Sequence, residues 1–272
     1  RQGPSTPAGQ TQLHRLEQAR EAARARTEVL DHMVGGCDPP LSAAHRTRVS
    51  QAMDAFSLDQ LRRLDTAGVR FWDNPSSLPP DIARLGYSPR TLDSVARYEP
   101  DYRVILTSPE NLDRGSAISD MRHELAHAWD DVRNEPRPRS LASMPDAARR
   151  REIDRRHAAL NRGQFESMSS RHLAPSNLSL GDMYDRFLEH APRNEQTFAN
   201  PGTRESIPKR NPVEFYAEGY SVFHGSSQQS QARLLHYAPE LYAHLEHESA
   251  QLGLPVPDRA ALVAITRERG FY

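Results

Sequence analysis

Lysine is nearly missing from this chain: of its 35 basic residues only Lys209 is a lysine, and all the others are arginine. Two explanations are open. A GC-rich bacterial genome favours arginine codons, whereas a protein working inside a eukaryotic cell gains lifetime by losing the ammonium groups that ubiquitin ligases modify. Cysteine is as scarce. Cys37 stands alone, which excludes an internal disulfide framework and fits a reducing compartment. A single thiol outside any reactive motif reads as inert. The formal net charge is −1, so no global field recruits nucleic acid or a membrane surface. No apolar run approaches the ~18–20 residues that cross a bilayer, and no apolar core of a signal peptide is visible near the start.

Turn chemistry without apolar period fills residues 1–12, "RQGPSTPAGQTQ", and predicts a disordered lead-in. Helical periodicity then runs over 13–34, where Gly35-Gly36 stops it. Two shorter helices are expected over 42–56 and 58–66, with Gly68 closing the second. "VRFW" at 69–72 is a short strand candidate, and "YRVILT" at 102–107 is the strongest strand in the chain. A loop leads from there into a helix over 116–132. Strand, loop and helix in that order would set an edge strand at 102–107 beside the helix, where an extended peptide can add by backbone pairing. Fragmentary helices are expected near 146–160 and 180–189, and firm helical periodicity returns at 212–224, 228–237, 239–252 and 258–269. The pattern predicts an α+β fold, mostly α with a small sheet. It divides into an N-terminal helical region at 13–95 and a second region at 96–272, or forms one continuous domain over 13–272.

Chemistry concentrates in "MRHELAHAWDD", residues 121–131. His123 and His127 are four apart, about 40° around a helix, so their rings point the same way and can share one Zn²⁺. Glu124 sits between them in sequence, placed to act as general base toward water. Two histidines need a third protein ligand, and "AWDDVRN" after His127 holds neither a turn-making glycine nor a third histidine. A second helix supplies a candidate in "NPVEFYAEGYSVFH", residues 211–224. Glu214 can complete the site while Glu218, one turn on, accepts an N–H from a ligating histidine. His157, His172 and His190 compete with Glu214 for that role. Asp131 lies one turn past His127 and is expected to orient a ligand or pair with arginine. His244, His247 and Glu248 in "LYAHLEHESAQL" read as an ordinary amphipathic helix, and "ARRREIDRR" at 148–156 as a solvated basic face.

The His-Glu-x-x-His helix followed by a glutamate on a later helix resembles the gluzincin metallopeptidases, and "HELAHAWDD" with "NPVEFYAE" is most similar to the catalytic domain of the anthrax lethal factor family. The likeness extends past the ligands, to Ala128, Asp130 and Asp131 in the first segment and to Asn211, Phe215, Ala217 and Glu218 in the second. It implies a zincin-like fold over 96–272 with the small sheet beside the metal helix. It also implies zinc ligands His123, His127 and Glu214, general base Glu124, and Glu218 supporting a ligand. The family's oxyanion-stabilising tyrosine falls on Ile207 here. Tyr184, Tyr216, Tyr220 and His224 are the candidate replacements.

The expectation is therefore a zinc-dependent endopeptidase acting on a protein or peptide substrate, its cleft walled and its choice narrowed by the long segment between His127 and Glu214. The scarcity of lysine, the lone cysteine and the family likeness together suggest a secreted or translocated bacterial effector or toxin that acts in host cytosol. A general bacterial protease is the near alternative. A non-catalytic binding module with structural zinc is the alternative from another class, distinguished by a fourth protein ligand in place of an open position.

Overall fold

The computed structural model describes residues 7–35, 37, 39–73, 96–100, 102–134, 148, 151, 172–191 and 212–270. These form ten helices and five short strands among the described residues. In order they are α1 (Pro7–Met33), α2 (Ala43–Met53), α3 (Leu58–Thr66), β1 (Arg70–Trp72), β2 (Arg97–Glu99), β3 (Val104–Leu106), α4 (Pro109–Leu112) and α5 (Ala117–Asn134). There follow β4 (His172–Leu173), β5 (Leu178–Ser179), α6 (Leu180–His190), α7 (Pro212–Phe223), α8 (Gln228–Tyr237), α9 (Pro239–Gln251) and α10 (Arg259–Arg269). The molecule is mostly helical with a small sheet, as the periodicity predicts. Of the helix expected near 146–160 only Ala148 and Arg151 are described, both helical, and the rest of it lies outside the described residues, as do Asn211, Ile207, Lys209 and His157.

Local chemistry fixes the helix starts. At α3 the Ser57 hydroxyl accepts from Gln60 N–H and the Gln60 amide oxygen accepts from Ser57 N–H, a reciprocal capping box that satisfies two orphan donors. Ser179 and Asp182 repeat the device at α6. α1 differs from the expectation: it starts at Pro7, so 7–12 continue the helix instead of forming a disordered lead-in. Proline is favoured in a first helical turn, where its missing N–H would have no partner anyway. The absence of apolar period there has a plain cause, because residues 10–24 are all exposed and no face is buried. Only Val29, Leu30 and Met33 anchor α1 in the core.

The three-stranded sheet has order β1-β3-β2, with β1 parallel and β2 antiparallel to β3. Val104, Ile105 and Leu106 are buried on both faces, which is why this central strand reads as the strongest apolar run. That corrects the expected edge strand at 102–107. The edges are β1 and β2, and β2 is the one that packs on α5. The expected division at 95/96 runs through this sheet, since β1 lies before it and pairs with β3 after it. One cluster of buried apolar residues continues from Val29 to Leu262.

α5 and α7 form the most extensive helix pair. Leu125, Ala126 and Ala128 on α5 and Phe215, Tyr216 and Ala217 on α7 are fully buried. α7 also seats on α9 at Gly219, where an added Cβ would come within 2.5 Å of Leu241 Cδ2. Two helices far apart in sequence are thus held at close range, and each carries half of the expected metal chemistry.

Candidate metal centre

Packing of α5 on α7 brings His123, His127 and Glu214 together. His123 Nε2 and His127 Nε2 lie 3.0 Å apart, and Glu214 Oε2 is 3.1 Å from the first and 3.3 Å from the second. The rings meet edge to face, with centroids 4.7 Å apart. Two ring nitrogens and a carboxylate oxygen at such range repel one another unless a proton or a cation lies among them. Bonds of about 2.0–2.1 Å to a tetrahedral zinc would set ligand atoms about 3.3–3.4 Å apart. The observed triangle is within a few tenths of that, so these residues fit the ion. Among the described residues this is the one group of His, Cys, Asp or Glu able to hold a metal. The trio is not sealed: the side chains of His123 and Glu214 are 25% and 42% exposed.

Burial alone would raise the Glu214 carboxyl, but its hydrogen bonds with the two histidines outweigh that and hold it well below the usual carboxylate range. It is ionised at any working pH and supplies the negative charge of a His₂Glu set. Glu124 behaves in the opposite way. It is 7% exposed, and burial pushes its carboxyl up to about 7, against the lowering effects of His123 and of Tyr98 N–H. That backbone N–H, on the edge strand β2, donates to Glu124 Oε2 at 2.6 Å.

The supporting residues fall differently from expectation. Asp131 accepts from the Tyr98 hydroxyl at 2.8 Å and lies 3.6 Å from Arg103 Nε, so it ties the sheet to α5 in the manner of the expected arginine pairing. Glu218 is half-buried one turn beyond Glu214. His172 and His190 are exposed and bond to nearby backbone carbonyls, Asn177 O and Arg186 O, so neither joins the trio.

Two of the four expected oxyanion donors, Tyr216 and Tyr220, are corrected to core residues, and a third, His224, is half-buried against that core. Tyr216 is buried with its hydroxyl on Glu248 Oε2 at 3.3 Å. Tyr220 stacks on Phe56 and donates to Ala55 O at 2.9 Å. His224 is packed against Tyr220 and Phe223, with Nε2 3.4 Å from Ser249 Oγ. On α7, Tyr216 and Tyr220 are two and six positions from Glu214, about 200° and about 120° around the helix, so both turn away from its face. Tyr184 packs against Phe187 and Phe215, in the apolar layer next to Glu214.

Burial, reinforced by the nearby Arg122 guanidinium, depresses His224 to about 4. The unfolded chain therefore takes up a proton near pH 6.5 that the folded chain refuses. Stability from this residue is complete above pH 6.5 and falls as pH drops toward 4. The expected loss is about 2 kcal/mol by pH 5, measured by urea unfolding at pH 7.5 and pH 5, and His224→Asn should flatten that difference.

Comparison of the chain with protein-family models, with curated proteins and with solved structures finds no match. The functional reading rests on the residues themselves. Two residues that hold the surrounding strand and helices were missed in the sequence: Tyr98, on a three-residue strand flanked by charged side chains, and Glu248, read as one more acid on an amphipathic helix. For Tyr98 the signal was its place opposite Ile105 in the hairpin register. For Glu248 it was the apolar neighbours Leu241 and Leu245 on the same helix face, both fully buried.

Proposed function

We propose that this protein is a zinc-dependent endopeptidase of gluzincin type, with a zincin-like catalytic fold. The observation that carries the reading is the triangle of His123, His127 and Glu214 with a buried, near-neutral Glu124 beside it. His123, His127 and Glu214 would hold the ion. Zinc, when bound at such a site, supplies a Lewis acid that polarises a peptide carbonyl and makes water more acidic.

The rest is done by side chains and strand. With Oε2 of Glu124 held by Tyr98 N–H, Oε1 is the atom that takes a proton from the attacking water and returns it to the leaving amine. A carboxyl near pH 7 suits both transfers. β2 supplies the backbone N–H that holds Glu124, so this strand fixes the base beside the trio. Glu218, one turn beyond Glu214, would steady a histidine, and Tyr184, buried in the same core as Tyr216 and Tyr220, offers no clearer oxyanion donor than they do.

The scarcity of lysine supports a bacterial effector or toxin that cuts host proteins in the cytosol, with a general bacterial protease as the alternative. The core positions of Tyr184, Tyr216 and Tyr220 favour a second reading, a binding module in which zinc is structural. A proteome-derived peptide library separates them. Zinc-loaded protein is expected to cleave a restricted set of sites, and chelator-treated protein none. One zinc per chain with no cleavage of any peptide or folded protein offered would support the module.

A further inference from the structure

Glu248 lies on α9, outside both metal-binding segments, yet it is the meeting point of donors from each. Its Oε1 accepts from Trp129 Nε1 at 3.0 Å and from Arg133 Nη1 at 2.6 Å. Its Oε2 accepts from the Tyr216 hydroxyl at 3.3 Å and faces His244 Nε2 at 3.5 Å. Trp129 and Arg133 follow His127 on α5, and Tyr216 follows Glu214 on α7. Arg133 also bonds Asp130 at 2.9 Å and lies over the Tyr216 ring at 4.6 Å. His244 donates from Nδ1 to Ala174 O at 2.8 Å, fixing α9 in turn.

We infer that Glu248 is a positioning residue for the metal centre: by binding α5 and α7 at once it sets the separation of His127 from Glu214. The inference rests on the proposed zinc site and adds a residue that touches no ligand atom. A single half-buried carboxylate with both oxygens accepting can hold two helices in register more tightly than apolar contacts, because each donor loses its acceptor if the helices slide.

Glu248→Gln keeps the volume but removes the charge that Arg133 pairs with and one of the two acceptor oxygens, so the Tyr216 hydroxyl loses its acceptor and can only receive from the amide NH₂. It is expected to weaken zinc about 10- to 100-fold in a chelator competition, the range seen when groups behind metal ligands are changed. Trp129→Phe removes one donor, keeps the packing, and should give a smaller loss in the same direction. Leu262→Ala, in the core beneath α8 and away from the trio, serves as the destabilised control and should leave zinc affinity unchanged.

The outcomes separate cleanly. If wild type binds no zinc, the metal site itself fails. If wild type binds zinc and Glu248→Gln and Trp129→Phe both match it, the site stands and the positioning role is overturned. Equal weakening in Leu262→Ala would also overturn it, since general loosening would then account for the effect.

Discussion

Glu124→Gln is expected to retain zinc and to lose about 10²- to 10⁴-fold in turnover, the usual contribution of a positioned general base. The substitution is nearly isosteric, and the amide oxygen can still accept from Tyr98 N–H, so β2 stays where it is. What disappears is the group able to take a proton. The same change removes an ionisable carboxyl from a site whose burial opposes its charge. Thermal stability should therefore hold or rise while activity collapses, the pattern expected when a functional group is kept against its environment. Three readouts are needed on one preparation: metal content, melting temperature, and kcat/KM on a peptide the wild type cleaves. Activity within tenfold of wild type, with zinc intact, would mean that the base is another residue. Loss of zinc along with activity would mean that Glu124 acts through the ligand geometry.

Both helices that carry the metal chemistry were legible because their signals are local. Spacing of four in His123 and His127, and in Glu214 and Glu218, needs nothing beyond helix geometry. β3 was legible for a related reason, since a strand buried on both faces must be a continuous apolar run. β2 was not, because an edge strand three residues long has no room for a pattern, and its outer residues, Arg97 and Glu99, pair with each other at 2.8 Å. The wrong strand was therefore expected beside α5, although the architecture, mostly helical with a small sheet, was right in kind.

Residues whose roles are set across long sequence distances resisted prediction more strongly. Glu248 bonds Arg133 across 115 positions and Trp129 across 119, and no window of sequence holds both ends. The tyrosines of α7 failed in the opposite direction. Proximity in sequence to Glu214 suggested chemistry, while helix rotation carried Tyr216 and Tyr220 into the core. The start of α1 shows a further limit. Amphipathic period detects helices that bury a face, and residues 10–24 of α1 bury none.

The second large effect is expected at Asp131, which joins the sheet to the metal helix. Asp131→Ala leaves the Arg103 guanidinium without its carboxylate partner at a site where that side chain is only 4% exposed. Breaking a buried ion pair from one side costs about 3–5 kcal/mol, and the low end, about 3 kcal/mol, applies here. Arg103 keeps one bond, from Nη1 to Ala67 O at 2.8 Å, which limits the loss. Its backbone adds to the sensitivity: φ is +53°, a conformation that a non-glycine residue holds only when its surroundings enforce it. Urea unfolding should show the full loss in Asp131→Ala and a smaller one in Asp131→Asn, which still accepts from Tyr98. The double variant with Arg103→Met should lose less than the sum of the two singles, because the unpaired charge is gone. Additive losses would show that the two residues act independently. The functional consequence follows through Tyr98, whose hydroxyl is on Asp131 and whose N–H is on Glu124. Releasing the ring frees the edge strand that aligns the base, so Tyr98→Phe, which removes only the Asp131 bond, should lower kcat more than it changes KM or zinc content.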